Sequence, residues 1–237
     1  MKQISSYVAH ALTGLSVVVL VACTGEQIGL TELKAVNPTE PLAALEPPSG
    51  PADDVNGVAN ELVRNYQEYT ALYSAVEKER PTTENTCFEL KEKIAKVKPL
   101  LEKQETVLVG TDKLYVRLTA LREGDSKIRR AAEAGEAHVG KARERVREYV
   151  ALAEITDSFT SDCPTEGEMF MHIMTGFSAL NAIPQYEAAK AKAPLFNQSA
   201  RQLEKLSAEE RELAYGVVRS LNALTAPGGG TFDPAAH

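Results

Sequence analysis

Between residues 55 and 224 the apolar side chains return every three or four positions, and that spacing leaves few folds open. Val55, Val58, Leu62, Tyr66, Tyr69, Tyr73 and Val76 form one such run. Cys87, Leu90, Ile94, Val97, Leu101, Leu108, Tyr115 and Leu118 form a second, and Ile128, Ala132, Gly135, Val139, Ala142, Val146, Tyr149 and Ala153 a third. A last run is Leu203, Leu206, Leu213, Val217, Leu221 and Leu224. At about 100° per residue this recurrence puts each run on one stripe of a helix, whereas a half-buried strand needs strict alternation. No alternating segment is present.

Punctuation separates the stripes. Pro81 ends the first, and Glu123-Gly124-Asp125-Ser126 makes a turn that also supplies N-cap candidates for the third helix. Asp162-Cys163-Pro164 opens a fourth helix with proline in its first turn, or Thr165 and Glu168 form a capping box there. Pro184 is expected to kink or break that helix. Glu209, Glu210 and Glu212 then read as an acidic run near a helix start, where the macrodipole favours them. The third stripe is rich in small residues, so its neighbours can approach closely. Short connections between long helices favour antiparallel neighbours. The expected fold is therefore all-α, an elongated antiparallel helical bundle of four to five helices over residues 54–226. Residues 227–237, with three successive glycines, read as a disordered tail.

The N-terminus carries a different message. Lys2 precedes an almost uninterrupted apolar run, Ala11–Ala22, that is too short for a bilayer span of roughly 20 residues but suits a signal-peptide core. It ends at Leu20-Val21-Ala22-Cys23, which resembles the lipobox of bacterial lipoproteins. The resemblance implies a signal peptide over residues 1–22, cleavage before Cys23, lipidation of its thiol and acylation of the new amino group, palmitate included. It covers the signal and the cysteine only. Several acyl chains anchor stably where one does not. Thr24 follows the cysteine, not the Asp that favours inner-membrane retention, so the outer membrane is the expected address in a Gram-negative cell. Residues 23–53 hold Pro38, Pro41, Pro47, Pro48 and Pro51 with little apolar periodicity, and read as a flexible tether.

An exported chain with two further cysteines favours one disulfide, here Cys87 with Cys163. In an up-down arrangement the second and fourth helices start at the same end of the bundle, and both cysteines lie near those starts. The bridge and the bundle are thus consistent expectations.

Residues 168–177, EMFMHIMTGF, gather Met169, Met171 and Met174 around His172. Thioether and imidazole suit Cu(I), and His with Met can be axial haem ligands, so a copper- or haem-binding envelope protein is the alternative reading. Helical geometry opposes it. With Met169 at zero, Met174 falls at roughly 140°, Met171 at roughly 200° and His172 at roughly 300°, so the four cannot converge on one ion from one helix. Methionines filling irregular core space is the favoured account, and no cofactor is expected.

The third helix carries Arg129, Arg130, Lys141, Arg143, Arg145 and Arg147 among glutamates. These form either a patch for an anionic partner or, as favoured, a solvated face of interleaved charge. A formal charge of −7 makes nucleic acid a poor partner. Gly-x-Ser-x-Gly, His-Glu-x-x-His and phosphate-loop motifs are missing. The expectation is a non-enzymatic, lipid-anchored binding or scaffold module of the cell envelope. Its partners would be the membrane, through lipid, and another envelope or extracellular protein.

Overall fold

A computed structural model gives the fold and describes residues 29–39, 55–121, 124–161 and 178–225. Those residues form a helical bundle of four α-helices: α1 Val55–Lys78, α2 Cys87–Leu121, α3 Ser126–Thr160 and α4 Ser178–Thr225. The stripes are the buried faces. Leu62, Tyr69 and Val76 of α1, Ile94, Leu101 and Leu118 of α2, and Val139, Ala142 and Tyr149 of α3 are all sealed from solvent.

The helix starts follow from local chemistry. Thr86 and Glu89 form a capping box at α2: the Thr86 amide donates to Glu89 Oε2 at 2.8 Å and the Glu89 amide donates to Thr86 Oγ1 at 3.3 Å. Asp125 is the N-cap of α3, its Oδ1 accepting from the Lys127 amide at 2.9 Å and, more weakly, from the Ile128 amide. Gly124 before it has φ of 95°, a left-handed conformation that glycine adopts without a Cβ penalty.

The chain divides into two compact units, the first made of Met1–Lys34, Glu79–Lys98 and Val150–Arg201, the second of Ala35–Lys78, Pro99–Tyr149 and Gln202–His237. In the second unit the contacts define the topology. Glu105 meets Arg143, Gln104 meets Arg145, and Tyr115 lies against Gly135, so numbers rise on α2 as they fall on α3. His138 approaches Glu210 and Ala134 lies by Gly216, which makes α3 and α4 antiparallel as well. Tyr66 and Tyr69 pack near His138 and Tyr73 near Arg145, so α1 and α3 run parallel. This is the up-down order of a four-helix bundle. The close approach foreseen for α3 occurs at Gly135, where an added Cβ would overlap the Tyr115 ring. In the first unit, Lys98 Nζ pairs with Asp157 at 2.7 Å and Lys192 Nζ donates to the Ser158 carbonyl at 2.9 Å.

Several expectations are corrected. Pro184 does not break α4, which continues as one 48-residue helix through both Pro184 and Pro194. An interior proline costs a helix roughly 3 kcal/mol; the burial of a stripe that runs on through Phe196, Ala200, Leu203 and Leu206 outweighs this. Glu209, Glu210 and Glu212 consequently lie deep inside α4 rather than at a helix start. Residues 29–39 of the expected tether pack on the helices, with Leu30 and Leu33 buried. The expected Cys87–Cys163 disulfide finds no support. Cys87 begins α2 and Cys163 lies outside the described residues, while a bridge requires Cα atoms within about 7 Å. The expected helix start at 162–168 and the glycine-rich tail, 227–237, also lie outside the described residues.

Candidate functional site

Among the described residues the densest polar constellation sits inside the second unit, at core positions of four stripes. Gln104 follows Leu101 by three residues and precedes Leu108 by four. His138 follows Gly135 by three and Arg145 follows Ala142 by three, while Glu210 follows Leu206 by four. Helical phase therefore turns all four side chains inward, together with Tyr69 of the α1 stripe. Arg145 is 1 % exposed and Glu210 0 %.

The groups close a ring. Arg145 Nε donates to Glu210 Oε2 at 2.7 Å, Arg145 Nη2 donates to the Tyr69 hydroxyl oxygen at 2.7 Å, and the Tyr69 hydroxyl donates to Glu210 Oε1 at 2.6 Å. Gln104 Oε1 accepts a longer bond from Arg145 Nη2 at 3.4 Å. The guanidinium carbon lies 5.2 Å from the centre of the Tyr73 ring and 5.9 Å from that of Tyr69, within cation–π range. Two charges are thereby removed from water with hydrogen bonds to both, the condition under which a buried pair can be tolerated.

Protonation follows from burial. Burial pushes the Tyr69 hydroxyl well above its usual range, so it stays neutral and donates. Burial alone would lower Arg145, but Tyr69 and Glu210 raise it and the net shift is upward, so the guanidinium stays charged. Burial also raises Glu210, against the downward pull of Arg145 and the Tyr69 hydroxyl. His138 is lowered to about 4, first by burial and then by the Arg145 charge, and is a neutral imidazole at physiological pH. Its Nε2 stands 3.7 Å from Glu210 Oε1, beyond a hydrogen bond, and has no hydrogen-bond partner among the described residues. Gln104 Nε2 is likewise unpartnered there.

The chain matches no protein-family model, and comparison with curated proteins and with solved structures also gives no match.

Arg145 is the clear correction to the cationic patch. It belongs to the core, because its helical phase faces inward and Glu210 and Tyr69 satisfy it there. Arg143 is half-buried and donates from Nε and Nη2 to Glu105 Oε1 at 2.8 and 2.7 Å. Lys141 bridges Glu144 at 2.7 Å and Glu209 at 3.0 Å, and Arg129 stands 4.0 Å from Glu133. Arg130 and Arg147 are exposed. What is left outside is an interleaved charged face.

Met169, Met171, His172 and Met174 lie outside the described residues, as do Cys23 and the signal segment. Among the described residues no group of three or more His, Cys, Asp or Glu could hold a metal ion, and no helix is long and apolar enough to cross a membrane. Tyr69, Arg145 and Glu210 are all sealed from solvent, so the ring offers no exposed nucleophile. Its chemistry is to hold four helices in one register: a slip of one residue on α3 would carry Arg145 about 100° away from Glu210.

Proposed function

We propose that this chain is a lipid-anchored envelope protein whose helical domain is a non-enzymatic binding module, offering a helical face to another protein. One observation carries the non-enzymatic reading. The strongest charged constellation, Arg145–Glu210–Tyr69, turns its bonds inward on itself and presents nothing to a substrate. The helix exteriors then become the surfaces offered to a partner. The lipobox-like Leu20-Val21-Ala22-Cys23 supplies the address, a membrane facing an oxidising compartment and the outer membrane in a Gram-negative cell.

The α2 exterior around Val116, 61 % exposed beside Lys113 and Arg117, is the face we assign to the partner. Crosslinking of intact cells with an amine-reactive reagent, read by mass spectrometry, tests this. The reading expects one reproducible protein joined through Lys113. Turnover of a defined substrate by the purified domain would sink it.

A further inference from the structure

Residues 29–34 belong to no helix, yet three hydrogen bonds hold them, and each bond is to their main chain. Asn197 of α4 makes two: its Nδ2 donates to the Gly29 carbonyl at 2.8 Å, and its Oδ1 accepts from the Thr31 amide at 2.6 Å. The Arg80 guanidinium makes the third, donating to the Leu33 carbonyl. Of the segment's side chains only Leu30 and Leu33 are buried, at 7 % and 6 % exposure, while Thr31, Glu32 and Lys34 are exposed. All of these residues lie in the first unit.

Such bonds read an extended backbone rather than a sequence. A side-chain amide that accepts from one N–H and donates to the carbonyl two residues earlier does what a neighbouring β-strand does along its ladder. The helix face around Asn197 suits that approach. Ala193 and Ala200 stand four residues before and three after it, on the same face, and both are buried. Neither carries more than a methyl group to push a second backbone away. What the seat selects is limited. Gly29 has φ of 83°, a conformation that favours glycine, and Leu30 and Leu33 fill the apolar positions. The pattern is Gly-Leu-x-x-Leu, and any segment that carries it can offer the same three main-chain groups.

We propose that the Asn197 face of α4, with Arg80, is a binding site for an extended Gly-Leu-x-x-Leu segment of another protein, and that residues 29–34 occupy it in cis. The inference stands apart from lipidation of Cys23 and from the α2 face assigned above. A second copy of this chain is the poorer occupant. Its own segment already fills its own seat at the effective concentration of a tethered chain, on the order of millimolar, and exchange between copies makes no new contact. A foreign segment gains when it brings further contacts beyond the shared pattern. Residues 29–34 thus act as an internal competitor that sets the threshold for binding.

The test uses the full chain in detergent and a fluorescein-labelled peptide of residues 28–35, followed by anisotropy. Leu30→Ser with Leu33→Ser empties the seat. That variant should bind the peptide saturably and at least about tenfold more tightly than the wild type, whose own segment competes. Adding Asn197→Ala, or N-methylating the peptide's threonine amide, should each weaken binding at least about fivefold through lost hydrogen bonds. An alanine-based peptide that keeps only the glycine and the two leucines should bind the emptied variant as the native peptide does. No saturable binding to an emptied variant of wild-type helicity overturns the site. Equal affinity for wild type and variant overturns its occupation in cis, and indifference to both Asn197→Ala and N-methylation overturns backbone reading. Loss of binding by the alanine-based peptide, or a wild type that sediments as a dimer with residues 29–34 crosslinked between copies, overturns the foreign segment. Should the emptied variant lose helicity, the wild type decides: hydrogen exchange at the Thr31 amide should quicken under several millimolar unlabelled peptide, and unchanged exchange overturns the site.

Discussion

Arg145 and Glu210 join Nε to Oε2 at 2.7 Å in a place where neither side chain reaches solvent. They come from α3 and α4, 65 residues apart, and the Tyr69 hydroxyl bonds to both. Two opposite charges in a dry core do not favour folding merely by attraction, because each has lost its hydration. Their value lies in specificity: a helix that slips or rotates strands an ion.

That asymmetry gives the first prediction. Glu210→Gln leaves the Arg145 charge without its counter-ion and should cost roughly 3–5 kcal/mol in urea unfolding. Arg145→Met with Glu210→Leu removes both charges at similar volume, and should recover most of that loss. A single substitution costing under about 1 kcal/mol would show that the pair is not dry.

His138 predicts a pH dependence, and its sign follows from protonation. The folded value of about 4 lies below the ordinary value of 6.5, so the unfolded chain binds a proton first as pH falls. Stability from this group is fully present above about pH 6.5 and drains away between about 6.5 and 4, by a total on the order of 3 kcal/mol. His138→Gln should flatten the stability–pH curve in that window relative to the wild type. Parallel curves for the two proteins would contradict a buried neutral imidazole.

Two glycines on α3 should answer the same substitution with opposite signs. Gly140→Ala meets nothing within 4 Å and should stabilise by about 0.5–1 kcal/mol through helix propensity. Gly135→Ala drives a Cβ into the Tyr115 ring and should destabilise by about 1–3 kcal/mol as overpacking. Adding Tyr115→Leu to Gly135→Ala should lower that penalty, and the thermal midpoints of the wild type, the two single variants and the double variant measure the coupling.

At the start of α2, Thr86→Ala removes one side of a reciprocal cap and should cost about 1 kcal/mol. Glu89 is held below the usual carboxylate range, first by the Thr86 amide. Titration of Glu89 by NMR should therefore persist at a low value in Thr86→Ser and move toward normal when α2 frays.

Much of this molecule is visible in the spacing of its residues. Helical periodicity is local, so Ile94, Val97, Tyr115 and Val146 announce their burial through neighbours three and four positions away, and Asp125 announces the start of α3 through the turn around it. The fate of the charged residues was not local. Arg143 and Arg145 stand two apart in one run of cations, yet one is half-exposed on Glu105 and the other is sealed against Glu210. Glu209 and Glu210 are adjacent, yet one meets Lys141 toward solvent and the other completes the buried ring. The phase of each stripe pointed Arg145, His138 and Glu210 inward, but hydropathy assigns such residues to water. Burying a charge is tolerable only when a partner arrives from another helix. By itself the sequence determined which faces of the chain are apolar, and so that it folds into a helical bundle. Only the tertiary structure decided which charges lie within, because that depends on pairing between helices that no local spacing encodes.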